Sequence, residues 1–253
     1  MKIRLVIPLL LVGVWLSAHQ EVAAQKTPPP RTTPRTGTIF VVDGSGDDDT
    51  LTENFRELIK EHKLSLGMVS IRWCQFGEPI KDHTDHQAQV KYADRLAVQI
   101  ALHRSAHPSD KIYVIGQSSG THVVLRAATK SQPKSMDRVV VMASTVSSDY
   151  DLRPALRASR NGIDSFYSSK DRIVLMARVG FGTADKQRGK KAGGEVGFTV
   201  PPPTHPDAEL YKNLRQHRWN SSMAWTGHIG GHLGFTRYAF LNAYVLPLML
   251  AEK

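Results

Sequence analysis

The residues of this chain best suited to chemistry begin at Gly116-Gln117-Ser118-Ser119-Gly120, a Gly-x-Ser-x-Gly pattern. A β-branched and aromatic run at 112–115 precedes it. A helix-compatible stretch follows, with Val123, Val124, Ala127 and Ala128 on one face. A sharp turn from a buried strand into a helix leaves no room for side chains at its flanks, which accounts for Gly116 and Gly120. The same turn lifts the central serine into the open. It also sets Ser118 at a helix N-terminus, where unpaired N–H groups and the helix dipole favour developing negative charge. The chemistry this predicts is attack by an activated hydroxyl; the bland alternative is a turn serine with no further role.

Such an attack needs a base, a carboxylate to hold the base in the right tautomer, and donors for the oxyanion. Downstream, Asp171 lies in Ser168-Ser169-Lys170-Asp171, just past a short strand candidate at 163–167. His232 lies in Gly227-His228-Ile229-Gly230-Gly231-His232-Leu233-Gly234. Asp164 competes with Asp171, but a carboxylate inside a strand points less well towards the sheet edge. His228 competes with His232. The two histidines at i, i+4 raise the question of a metal, yet glycines lie between them and no Glu follows His228, so the helical zinc motif is not met. No metal and no cofactor is expected. Asp82, His83, Asp85 and His86 offer a second set of metal-ligating types, read instead as a solvated loop ending in a helix cap. His122, behind the serine turn, reads as a packing or surface residue.

The elements that would position these groups alternate. Strand candidates at 38–42, 66–73, 112–115, 138–143 and 163–167 are separated by helical patterns. The first helix carries Leu51, Phe55, Leu58 and Ile59 on one face behind a Thr50/Glu53 capping box; the second is marked by Val90, Leu96, Ala97 and Ile100. That alternation predicts an α/β fold, a mostly parallel sheet flanked by helices on both faces, with chemistry at the strand C-terminal ends. Residues 177–217 are rich in Gly, Pro and Lys with little periodicity. They are expected to form a long irregular excursion over the sheet edge, able to line a substrate site. A helix from about 236 to 250 closes the chain.

The region from about 38 to 250 resembles an α/β-hydrolase. The serine turn at 116–120, the strand followed by Ser-Ser-Lys-Asp at 168–171, and Gly-Gly-His at 230–232 before the last helix carry the likeness. The order Ser118, Asp171, His232 is the order that fold uses. The resemblance implies Ser118 as nucleophile, His232 as general base and then acid, and Asp171 as orienting carboxylate. It implies an oxyanion hole from the backbone of Ser119 and of the Gly44-Ser45-Gly46 loop. The substrate it implies is a small-molecule or lipid-like ester, cleaved through an acyl-enzyme; amide or thioester cleavage is a close variant. There is no His-Gly-Gly-Gly run of the lipase type and no recognisable lid helix.

At 253 residues with 41% hydrophobic content, one domain, 38–253, is the simplest division. Residues 1–24, with Lys2 and Arg4 before an apolar run and Val22-Ala23-Ala24 at its end, read as a cleaved signal peptide. Residues 25–37, rich in Pro and Thr, read as an extended tether. Secretion or periplasmic residence follows, with no transmembrane span in the mature form. Cys74 is the single cysteine, so no intrachain disulfide can form, and its apolar flanks predict a buried, inert thiol. The net charge is +10, and removing residues 1–24 takes away two basic residues and one acidic one to leave +9. Such a balance suits an anionic surface polymer as partner. Nucleic acid is not expected, since neither zinc-finger spacing nor a Walker A sequence is present. A catalytically silent fold that binds anionic polymers through the basic stretch around 186–191 is the competing function.

Overall fold

The computed structural model describes residues 36–46, 49–75 and 77–250. The expected signal peptide and all but the last two residues of the expected tether lie outside them. Those two, Thr36 and Gly37, belong to the fold: Thr36 bonds to Ser65 and Lys111, and Gly37 opens the first strand.

Six parallel strands form the sheet. β1 (Gly37–Val42), β2 (Leu66–Ser70), β3 (Lys111–Gln117), β4 (Arg138–Met142), β5 (Ile163–Tyr167) and β6 (Leu214–Arg218) stand in the order β2-β1-β3-β4-β5-β6. The side-chain period of two divides their apolar residues between two cores. Phe40, Val42, Ile112, Val114, Val139 and Val141 face one core. Ile39, Val41, Tyr113, Ile115, Val140 and Met142 face the other. Strands buried on both faces carry near-continuous apolar runs, which is why 112–115 and 139–142 read so clearly in the sequence.

Helices cover both faces. α1 (Thr50–Glu61) packs on the second core through Leu51, Phe55 and Leu58. After the short α2 (Pro79–Thr84), α3 (His86–Ala106) and α4 (Gly120–Ala128) pack on the first core. α5 (Arg153–Ala158), α6 (Arg172–Phe181), α7 (Gly193–Val196) and α8 (Ala208–Tyr211) follow. The C-terminal helical stretch runs as α-helix at Tyr238–Phe240, a π-turn at Leu241–Val245 and α-helix again at Leu246–Leu250, with Phe240, Leu241 and Val245 buried in the second core.

Several expectations are corrected. The Thr50/Glu53 capping box is not how α1 begins. Its N-cap is Asp49, in a left-handed conformation, and the Asp43 carboxylate reaches across the loop to accept from Leu51 and Thr52 N–H at 2.9 and 3.2 Å. A carboxylate from the end of β1 therefore replaces the local cap. Residues 177–217 are not one irregular excursion. They begin inside α6, include α7 and α8, and end in β6, whose Leu-Arg-Gln-His-Arg sequence has no apolar run to announce an edge strand.

What holds β6 in place is Asp164. Its fully buried carboxylate accepts from Arg138 Nη1 on β4 at 2.6 Å, and from Arg215 Nε and Nη2 at 2.9 and 2.8 Å and His217 Nε2 at 2.7 Å on β6. Burial alone would raise its pKa; the hydrogen bonds from His217, Arg215 and Arg138 outweigh burial and hold it well below the ordinary carboxylate range. Because the folded value is depressed, the stabilisation is complete above the ordinary Asp value of 3.8 and is lost as pH falls below it towards the folded value. Asp164→Asn is expected to cost about 3 kcal/mol near neutral pH, since it strands two guanidinium groups on one side of the sheet. The deficit relative to wild type should shrink towards about pH 3, as urea denaturation at the two pH values would show.

Candidate active site

The turn after β3 has the strain its sequence implies. Ser118 sits at φ 53°, in the left-handed region, and α4 starts directly behind it with Ser119 as N-cap. The two flanking glycines are there for space. A Cβ on Gly120 would lie 2.3 Å from the Asp43 carbonyl oxygen, and one on Gly116 would lie 2.8 Å from Val124 Cγ2. Any larger residue would push the start of α4 off the sheet.

Asp171, just beyond β5, caps α6 by accepting from Val174 N–H at 3.0 Å, and its other oxygen meets His232 Nδ1 at 2.8 Å. Its main chain is anchored by a bond to Ser168, so the carboxylate is held from both sides. The loop that delivers His232 depends on its glycines. Gly227 and Gly230 take φ 78° and 97°, and a Cβ on Gly234 would lie 1.8 Å from His228 Nδ1. His228, the rival base, is fully buried against Phe235 and Phe240, and its Nδ1 accepts from Gly230 N–H at 3.2 Å. Burial lowers its pKa to about 4, so at neutral pH it is an uncharged prop for the loop. Of the paired alternatives from the sequence, Asp171 and His232 meet each other; Asp164 and His228 are occupied elsewhere.

The opposite nitrogen of His232 has a partner that the sequence did not suggest. Gln117 Nε2–H donates to His232 Nε2 at 3.0 Å. With Nδ1–H directed to Asp171, that bond requires a lone pair on Nε2, the tautomer a general base must have. Ser118 and His232 line one cleft together with Ser45 and Ser119.

The β1–α1 loop lies against the serine. A Cβ on Gly44 would be 3.0 Å from Ser118 Cβ and 2.3 Å from Gln117 Oε1, so only glycine permits this approach. Gly46 N–H is committed to Asp82 Oδ2 at 2.9 Å. Cys74 is half-buried beneath this loop and not sealed in the core, its Sγ–H donating to the Gly44 carbonyl at 3.0 Å.

The polar segment at 82–86 is not a solvated loop. Asp82 and His83 are buried in α2, and Asp85 caps α3 by accepting from Ala88 N–H at 2.9 Å. Asp82 also accepts from Gln75 N–H at 3.1 Å, pinning the chain around the β1–α1 loop. His83 Nδ1 accepts from Ser119 Oγ–H at 2.8 Å while its Nε2–H donates to the Gly182 carbonyl at 3.0 Å, and burial pushes its pKa down. Thr145 Oγ1–H completes the chain to Ser119 Oγ at 3.2 Å. His83 lines the cleft, a place that its neighbours Asp82, Asp85 and His86 in the sequence do not suggest; the signal for it is the second serine of the turn, which needs a partner once buried. His122 is a packing residue, stacked on His86 and bonded to Gln89, with burial lowering its pKa to about 4.

The chain has the α/β-hydrolase fold. Its parallel order, the strained serine at the end of β3 and the carboxylate–histidine contact from the loops after β5 and β6 place the hydrolase-fold features along one edge of the sheet. No known family profile and no curated protein matches the sequence. Among solved structures it is similar to the poly(3-hydroxybutyrate) depolymerase LpqC of Bordetella parapertussis, at 14% identity and TM-score 0.49 over 85% of this chain and 82% of that one. It is also similar to esterase PE8, at 12% identity and TM-score 0.48 over 83% and 94%. The catalytic core domain of acetyl xylan esterase from Trichoderma reesei matches at 11% identity and TM-score 0.43 over 83% and 99%.

Around the polar floor this hydrolase-fold cleft is apolar. It encloses about 370 Å³, walled by Pro79 and Ile80 from α2, Ile173, Met176 and Phe181 from α6, and Leu233 beside His232. No described helix is long and apolar enough to cross a membrane.

Proposed function

We propose that the chain is a serine hydrolase that cleaves a carboxylic ester through an acyl-enzyme. The observation that carries this reading is the 2.8 Å contact between Asp171 and His232 Nδ1 at the floor of a cleft shared with a strained Ser118. Ser118 Oγ attacks the ester carbonyl carbon and its proton passes to His232 Nε2. For this the Gln117 amide yields its place on Nε2. Asp171 keeps Nδ1–H oriented and stabilises the imidazolium, and the oxyanion is received by the backbone of Ser119 and of Gly44 or Ser45. His232 returns the proton to the departing alcohol; water, deprotonated by the same nitrogen, then releases the acid and restores Ser118. The apolar walls supplied by α2 and α6 suit an aliphatic acyl group.

Labelling with a fluorophosphonate probe tests this. Wild type is expected to label, and Ser118→Ala and His232→Ala to lose the label while staying folded. A folded wild type that takes no label would sink the proposal and favour the silent fold that binds anionic polymers, for which binding at varied salt is the next measurement.

A further inference from the structure

α6 is an amphipathic helix turned the wrong way round. Leu175, Met176 and Val179 fall three, four and seven residues after Arg172, the spacing that usually marks a core-facing stripe, and here that stripe faces water. Val179 is 70% exposed and Met176 64%. The side that meets the body of the protein is held by Val174, which is fully buried, and by Arg178, whose guanidinium is paired with Glu195. The outward face is thus not a helix lifted from its seat. It continues around the cleft mouth, through Ile80 on α2 and through Ile229 and Leu233 on the histidine loop, all exposed. Scattered apolar residues on a surface call for no explanation, but a contiguous collar at a cleft mouth does.

The charge around the collar names the occupant. Residues 170–191 hold seven basic residues against two acidic ones; Arg178 and Lys190 are paired with Glu195 and Asp149, which leaves Lys170, Arg172, Lys186, Arg188 and Lys191 as the charge of this surface. Both acidic side chains are engaged inward, Asp171 with His232 and Asp185 with Ser147 at 2.8 Å through its backbone N–H. Lys170 and Arg172 border the stripe at one end of α6, and Lys186 and Arg188, exposed beside Phe181, lie at the other. Apolar side chains that enter an acyl layer while flanking cations meet headgroup charge is the signature of interfacial binding.

We propose that the outward stripe of α6, with its basic flanks, docks this protein on an anionic lipid surface and presents the cleft to it. The docking stands independently of the hydrolase reading; only delivery of an ester from the lipid to Ser118 rests on it. Binding is therefore measured apart from turnover, by cosedimentation of the full chain with phosphatidylcholine vesicles containing or lacking phosphatidylglycerol. Wild type and Ser118→Ala should bind the anionic vesicles alike, about tenfold more tightly than phosphatidylcholine alone, and less tightly as salt is raised. Val179→Asp combined with Ile229→Asp, neither of which lines the acyl cleft, should weaken vesicle binding about tenfold while turnover of a soluble short-chain ester is kept. Lys186→Glu with Arg188→Glu, in an exposed loop, gives an independent reading and should lose the preference for anionic vesicles. The proposal is overturned if wild type shows no such preference, or if both double variants bind as wild type does. It is equally overturned if the stripe proves to be covered by a second copy, seen as a dimer in light scattering that Val179→Asp with Ile229→Asp dissolves.

Discussion

Ser118→Gly should make the protein more stable and inactive at once. A serine held at φ 53° stores backbone strain of about 1–2 kcal/mol, because its Cβ crowds the neighbouring carbonyl, and glycine has no Cβ to crowd. Glycine also gains freedom in the unfolded chain, which returns part of that strain, so a net gain of about 1 kcal/mol over Ser118→Ala is expected. Ser118→Ala keeps the strain and is the proper reference. Both variants lack the hydroxyl and should lose about a million-fold in kcat. Denaturant unfolding of the two variants side by side, with turnover of a soluble ester, separates the two effects. Equal stability would mean that the turn relaxes and holds no strain; retained turnover would remove Ser118 from the chemistry.

Asp171→Asn is expected to be less damaging to turnover than loss of the hydroxyl, and nearly silent in stability. The side-chain oxygen that caps α6 through Val174 N–H survives in asparagine, so the cap is kept and unfolding should shift by under about 1 kcal/mol. The other arm changes character, for an amide N–H then faces His232 Nδ1 where a carboxylate oxygen stood. Nδ1 must accept, the proton moves to Nε2, and Gln117 can turn its carbonyl to receive it. The histidine is then locked in the tautomer that cannot take a proton from Ser118, and a loss of about 10,000-fold in kcat is expected. Asp171→Ala, by contrast, removes the cap as well and should cost about 1 kcal/mol in addition. A kcat for Asp171→Asn within tenfold of wild type would show that Asp171 serves only as a helix cap.

The parts of this protein that were legible in its sequence are those that depend on neighbours along the chain. The glycines at 116 and 120 report a turn too tight for side chains, and the apolar runs at 39–42, 112–115 and 139–142 report strands buried on both faces. Such patterns arise because burial of a contiguous segment constrains residues next to one another. They carried the fold class, the serine turn, and the candidates Asp171 and His232.

What the tertiary structure alone decided lies between residues far apart in the chain. Asp164 reads as a possible acid until Arg138, Arg215 and His217 are seen around it, and β6 is invisible without that cluster because its side chains are polar. His83 reaches Ser119 across 36 residues, and Gln117 reaches His232 across 115. α6 was unreadable for the opposite reason: its apolar residues do recur at helical spacing, but the stripe they mark is the one left in water. Only the packed molecule shows that Val174 points in while Leu175 and Val179 point out. Local sequence records which segments avoid water. Which polar groups then satisfy one another, and which apolar face is left in water, is set by the path the chain takes between those segments.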